Sequence, residues 1–199
     1  MSTLKKDRIL KAATKLFALK GYKDASMAEL AKLTDVAQGT IFYHYHNKES
    51  LFLDILKDIE SKIVAEFNRY LAEKKFKTGL DLMEDVVGFY LLLAGNMEDQ
   101  FMLLHRHDAY ELARGNSECR EYLESIYNCL VNIFEKAIVA GQADHSVADL
   151  PARKTALIIF TMVDGLVRFN SYDLYNAAAL YGDLITSIRR LLMNHQPAG

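Results

Sequence analysis

Residues 38–48 read Gln-Gly-Thr-Ile-Phe-Tyr-His-Tyr-His-Asn-Lys. On a helix, Ile41 and Tyr45 are four apart and share one side, which can face Leu30, Ala31 and Phe17. Thr40, Tyr43 and His44 then turn the other way, with Gln38 and Gly39 at the helix start. That outward set is short, polar and aromatic. It can offer hydrogen bonds to phosphates and base edges without filling a nucleic-acid groove. Gly39 lets backbone come close, and the helix N-terminus adds positive dipole. Lys48 follows Asn47, which can cap the next helix, so its ammonium and the helix-end N–H groups can hold a phosphate together. The chemistry implied is recognition.

Other reactive clusters are weaker. His44 and His46 are two residues apart and diverge on a helix, which argues against a metal pair. His105-Arg106-His107-Asp108, with Glu111 and Cys119 downstream, is the most polar cluster of the later chain. None of its spacings is that of a metal site, so it reads as a solvated helix face, although His105 can also reach a ligand cavity. There is no phosphate loop, nucleophile–base spacing or metal motif, so neither an enzyme nor a cofactor is expected.

Phe67, Met83, Tyr90, Phe101, Met102, Tyr127, Phe160 and Met162 recur at helical spacing. Such a stripe is ordinarily core. Were it to line a cavity, it would suit an apolar or aromatic small molecule. Asp164 is a charge inside an apolar run, so it is either paired or placed at a pocket or interface.

These residues need elements to hold them. The chain has 199 residues, 51% of them hydrophobic, with only 2 Pro and 10 Gly, which favours long helices over short strands. The periodicity predicts about nine helices, near residues 3–19, 26–33, 37–45, 48–75, 80–94, 98–113, 117–140, 150–169 and 172–194. Gly21 suits the left-handed position after the first, and Ser26 with Glu29 forms a capping box for the second. Thr34-Asp35-Val36 is a tight turn between the second and third. Gly141 is expected to stop the seventh, and Asp149 to cap the eighth with Pro151 in its first turn. Two short helices joined by a tight turn suit a DNA-binding helix-turn-helix.

Charge agrees with a division at that point. Residues 1–50 hold nine Lys/Arg against five Asp/Glu, a net +4, which leaves −6 on the rest of a chain whose total is −2. A basic head on an acidic body suits a polyanion at the head. The expected domains are 1–46, the helix-turn-helix, and 47–199, a larger helical domain joined through the 48–75 helix. Cys119 and Cys129 would lie about 15 Å apart on one helix, too far for a disulfide. Free thiols, no stretch fit to span a membrane and no secretion signal lead to a cytoplasmic expectation.

The head also resembles a known family. Ile9-Leu-Lys-Ala-Ala-Thr-Lys-Leu-Phe17, Gly21-Tyr22, Ser26-Met-Ala-Glu-Leu-Ala31 and Val36-Ala-Gln-Gly-Thr-Ile-Phe-Tyr-His-Tyr-His-Asn-Lys-Glu49 together resemble the tetracycline-repressor (TetR) family of bacterial regulators. The resemblance covers about the first 55 residues closely. Beyond them only length, helical character and Asp164-Gly165-Leu166 agree. It implies a homodimer on a palindromic double-stranded operator, with half-sites about 34–36 Å apart or a multiple of that. It also implies a variable C-terminal domain where a small molecule changes DNA affinity. By matching position, Ser26 is a phosphate contact, Gln38 the base reader, and Tyr43, His44 and Lys48 backbone contacts, with Gly39 and Thr40 at the helix start. Three residues depart from the common pattern: Ala37 for a capping Ser or Thr, Gln38 for Lys, and Phe42 for Tyr. Phe42 can touch a thymine methyl or pack in the core.

The last two helices are expected to make the dimer as half of a four-helix bundle, through Gly165, Leu166, Ala177, Leu180, Tyr181, Leu184, Ile188 and Leu191. The expected function is an effector-released repressor. An activator of the same fold, a helical carrier or enzyme, and a protein-binding scaffold are the alternatives.

Overall fold

The computed structural model describes residues 2–193. Among the described residues there are ten α-helices and no strand: α1 (Ser2–Lys20), α2 (Met27–Thr34), α3 (Gln38–His44), α4 (Lys48–Ala72), α5 (Gly79–Asn96), α6 (Glu98–Leu104), α7 (His107–Gly115), α8 (Ser117–Ala143), α9 (Ala152–Ser171) and α10 (Tyr181–Leu192). A 3-10 turn, Ala177–Leu180, precedes α10.

Local chemistry sets most boundaries. Ser26 Oγ accepts the Glu29 N–H at 3.1 Å and starts α2. The other half of the expected capping box is replaced, because the Glu29 carboxylate pairs with Lys20 at 2.6 Å. Asn47 Oδ1 accepts the Ser50 N–H at 2.7 Å and starts α4. Thr78 does the same for α5 through Asp81, at 3.1 Å. Gly21 takes φ +89° after α1, and Asp35 closes α2 in the left-handed region at φ 49°.

Four expectations are corrected. The single helix over 98–113 is two, broken at His105-Arg106. Gly141 does not stop a helix; α8 runs through it to Ala143. Asp149 is no cap, since Pro151 occupies the cap position of α9 and no side chain caps that helix. The helix over 172–194 is a 3-10 turn followed by α10, and Asn194 lies outside the described residues.

Packing gathers the chain into two compact units, one of residues up to 65 with 98–126, the other of 66–97 with those from 127 on. The first buries Ile9, Ala13, Phe17, Leu30, Ile41, Tyr45 and Phe52 together with Phe101, Leu104 and Ala109. Phe17, Tyr22 and Phe52 form a ring triangle with centroids 5.2–6.0 Å apart. So packing places α6 and α7 in one unit with the helix-turn-helix, whereas the 1–46 boundary concerns which part reads DNA.

The second unit buries Phe67, Met83, Val87, Tyr90, Phe134, Ile159, Val163 and Ile188. Here the loop after α8 satisfies the start of α5. Asp144 accepts the Gly79 N–H at 2.6 Å, and Ser146 Oγ accepts that of Leu80 at 3.1 Å. Gly79 lies directly against the backbone of Gly141, where a Cβ would overlap main-chain atoms. At Gly141 itself a Cβ would meet the Val147 side chain, so α8 carries a glycine there without ending.

Two glycines of α5 should therefore respond with opposite sign. Gly79→Ala is expected to lose about 1–3 kcal/mol through overpacking against backbone. Gly95→Ala, with open space around its missing Cβ, should gain up to about 1 kcal/mol from helix propensity. Urea unfolding of both variants checks this, and equal losses would refute it.

Candidate nucleic-acid interface

The recognition segment is a helix of seven residues held by its inner side. Ile41 is fully buried and Tyr45 is 3% exposed. Burial, with the charges of Asp54, Asp7 and Asp58 around it, raises the Tyr45 hydroxyl above its ordinary pKa, so the ring stays neutral. The outer side is open. Gln38 and Gly39 are exposed, Thr40 and His44 half-buried, Phe42 41% exposed and Tyr43 81% exposed. The Tyr43 and His44 rings meet edge to face at 5.3 Å. Phe42 thus lies outside the core. As the sequence suggests for Ala37, no side chain caps α3; its carbonyl accepts the Thr40 N–H at 2.8 Å.

Ser26 is exposed. Its oxygen is an acceptor for Glu29, which leaves its hydroxyl hydrogen available to donate. Lys48 is placed differently from the expectation of an open phosphate ligand. Its Nζ donates to the carbonyls of Lys23 and Ala25 at 3.1 and 3.0 Å and sits 4.7 Å from the Tyr22 ring centroid. It holds the loop that leads into α2.

The cluster at 105–108 is not the solvated face that periodicity suggests. His105 is buried, Arg106 and Asp108 are half-buried, and His107 alone of the four is exposed. Arg106 Nη1 donates to the Ala18 carbonyl at 3.0 Å, and Asp108 accepts the Tyr22 N–H at 2.8 Å. Glu111 pairs with Lys23 at 2.6 Å, and that hydrogen bond with its charge holds the Glu111 carboxyl below the usual range. Periodicity gives no sign of these contacts, because their partners lie more than eighty residues earlier. Cys119 is buried, which pushes its thiol up to about 11 and keeps it protonated.

The residues expected to meet a ligand separate. Tyr90, Tyr127, Phe160 and Asp164 come together in the second unit. The Tyr90 hydroxyl donates to Asp164 at 2.7 Å, and Phe160 lies 6.2 and 5.8 Å from the Tyr90 and Tyr127 rings. Met83 is buried in that unit, and Phe67 packs on Phe89 at 4.9 Å. Phe101 and His105, 6.4 Å apart, belong to the first unit. Among the described residues no three His, Cys, Asp or Glu side chains gather as metal ligands. Among them, too, no helix is long and apolar enough to cross a membrane.

Of the residues expected at a dimer face, Ala177, Leu184 and Ile188 are buried within their own unit. Gly165 and Leu166 are half-buried, and Leu180, Tyr181 and Leu191 are exposed. Leu157, Ile158, Phe169, Leu174, Tyr175 and Met193 are also exposed on this part of the chain. Helical periodicity does not single them out, because it cannot tell a side chain covered by its own unit from one left open.

Comparison with known proteins agrees with this geometry. Residues 9–55 match the family described as bacterial regulatory proteins, tetR family. The transcriptional regulator QacR of Staphylococcus aureus is 44% identical over 57 residues, which span 29% of this chain and 30% of that protein. The fatty acid metabolism regulator protein of Bacillus subtilis is 25% identical over 162 residues, 80% of each chain. Among solved structures, Bacillus subtilis FadR in complex with stearoyl-CoA superposes with TM-score 0.74 at 23% identity, covering 94% of this chain and 99% of that one. A Saccharomonospora viridis regulator in complex with choline gives TM-score 0.82 at 20% identity, covering 96% and 98%. Those two share the fold. With the exposed side of α3, the matched head and the shared helical fold together, residues 9–55 form the helix-turn-helix head of the tetR family of bacterial regulatory proteins, and the chain is a transcriptional regulator.

Proposed function

We propose that the chain acts as a homodimeric repressor that sits on a palindromic operator through α3 and leaves it when a small molecule occupies the helical body. The observation that carries this is the division of α3: Ile41 and Tyr45 are sealed in the core while Gln38, Gly39 and Tyr43 face water. In this reading Gln38 reads a base, and an adenine suits its amide. Ser26, Thr40, Tyr43 and His44 place the helix on phosphates, and Phe42 meets a thymine methyl. The exposed residues of α9, the 3-10 turn and α10 form the face for the second copy, with Leu180, Tyr181 and Leu191 retained from the sequence reading.

In this reading the effector site is the aromatic group around Tyr90, Tyr127 and Phe160. A long acyl-CoA and choline occupy two relatives of the same fold. Here aromatic rings surround one hydroxyl–carboxylate pair, which supports an apolar or aromatic effector with one polar handle. Such a molecule changes DNA affinity only by the difference in its own affinity for the two conformations.

Four experiments test this reading. Gln38→Ala should change sequence preference at one position per half-site by about 1–3 kcal/mol, whereas Tyr43→Ala should weaken all sequences alike. Binding selections with both variants decide it, and identical behaviour would overturn the division of roles. Lys48→Ala measures how its charge is used. A lost phosphate contact lowers the log–log salt slope by about 0.9, and a lost loop anchor leaves the slope unchanged while affinity falls.

Tyr90→Phe should weaken effector release and leave operator affinity within about threefold, since it removes one hydrogen bond worth about 1 kcal/mol far along the chain from α3. Full release in that variant would move the effector site elsewhere. Tyr181→Glu with Leu180→Glu should shift sedimentation to the monomer and abolish operator binding, and a persistent dimer would exclude this face.

A further inference from the structure

The loop between α1 and α2 decides where the helix-turn-helix begins, and α7 grips it. The helix break at His105-Arg106 lets Arg106 point back to the end of α1. There its Nη1 donates to the Ala18 carbonyl, one of the last-turn acceptors that a helix leaves unsatisfied. Asp108, in the first turn of α7, accepts the Tyr22 N–H at 2.8 Å and lies 3.6 Å from Arg106. Gly21 lies between them in the left-handed conformation, φ +89°, and the space its Cβ would need is filled by the Asp108 carboxylate and the Arg106 guanidinium.

Further ties flank this grip. Lys23 pairs with Glu111 of α7 at 2.6 Å, and Asn116 donates to Glu49 of α4 at 2.6 Å. From the other side Lys48 holds the carbonyls of Lys23 and Ala25. Both Arg106 and Asp108 are partly removed from water, with side chains 27% and 19% exposed. A charged hydrogen bond in that setting fixes direction better than an exposed ion pair. None of these groups lies on the outward side of α3.

We propose that Arg106 and Asp108 are positioning residues for DNA reading: they lock the end of α1 and the Gly21-Tyr22 backbone to α7, and so hold each recognition helix in the one orientation that matches a fixed half-site spacing. The inference rests on the reading of the chain as a paired reader of palindromic DNA. A rigidly held head tolerates little change in spacing. One inserted base pair moves a half-site by about 3.4 Å and turns it by roughly 35°.

The test uses the full-length protein and a palindromic duplex selected by the unaltered protein from a random pool. Binding is then measured on that duplex with no, one or two base pairs inserted at its centre, and on a single half-site. The unaltered protein should lose about tenfold in affinity for the first insertion, which is about 1.4 kcal/mol. Arg106→Gln and Asp108→Ala should reduce that penalty to less than about threefold, with half-site affinity and salt slope unchanged, because no phosphate contact is lost. Asp108→Asn, which keeps an acceptor for Tyr22, should restore most of the penalty.

A merely stabilising role would lower the melting temperature and leave spacing preference intact. An unchanged penalty in Arg106→Gln and Asp108→Ala would therefore overturn the proposal while leaving the paired-reader reading in place. If Arg106→Gln does not fold, the Asp108→Ala and Asp108→Asn pair decides alone. A selection that returns no palindrome would instead overturn the paired-reader reading, and the positioning role with it.

Discussion

A helix of seven residues has almost no stability of its own, because nucleation costs more than so few hydrogen bonds return. The helix α3 exists because Ile41 and Tyr45 are inserted into a core built by α1, α2 and α4. Removing those two from water supplies on the order of 3–6 kcal/mol, at about 1.5–3 kcal/mol for each large side chain. Because both lie on one side, the opposite side is fixed as well. Gln38, Gly39 and Tyr43 face outward as the geometric complement of that insertion. The surface chemistry of the head is thus a consequence of its packing.

The charge of the head is less free than its arithmetic suggests. Lys6 pairs with Asp54 at 2.8 Å, Lys20 with Glu29 at 2.6 Å and Lys23 with Glu111 at 2.6 Å. These lysines are well exposed, so each pair is weak, and those of Lys6 and Lys20 are readily exchanged for a phosphate. Lys48 differs, since its donors are aimed at two backbone carbonyls and its ammonium lies over an aromatic ring. The exposed lysines can attract a polyanion at long range, whereas Lys48 holds the loop before α2. On the proposed reading, a basic head of this kind attracts DNA without regard to sequence, and base selection is left to a few uncharged groups on α3.

Features that depend on neighbours in sequence were legible. Ser26 as a cap, Asn47 as a cap, Gly21 in a left-handed turn, the uncapped Ala37 and the two sides of α3 all follow from residue type and a period near 3.6. Features set by distant partners were not. His105-Arg106 interrupts a helix because Arg106 finds the carbonyl of Ala18, and Gly141 lies within one because the Val147 side chain fills the space of its missing Cβ. Lys48 was read as a phosphate ligand because its position beside a helix start is visible in sequence and the carbonyls it meets are not. The same limit explains Leu184 and Ile188. An amphipathic pattern says that one side of α10 is covered, and both residues are covered by their own unit.

The Tyr90–Asp164 pair shows why a chemical signal in this fold must be local before it is global. A carboxylate among aromatic rings is costly unless its oxygens are satisfied, and the Tyr90 hydroxyl meets part of that need at 2.7 Å. An occupant of this region that displaces the hydroxyl must offer Asp164 a donor of its own, or the exchange opposes binding by about 1–3 kcal/mol. On the proposed reading, an effector is therefore selected by the polar group it presents as much as by its apolar bulk. The helix α4, 25 residues and about 38 Å long, begins three residues after Tyr45, and its residues from 66 on belong to the unit that holds Tyr90. Thus a small difference in how an effector fits around Asp164 becomes a difference in how α3 is presented only if α4 has two arrangements that the effector can tell apart.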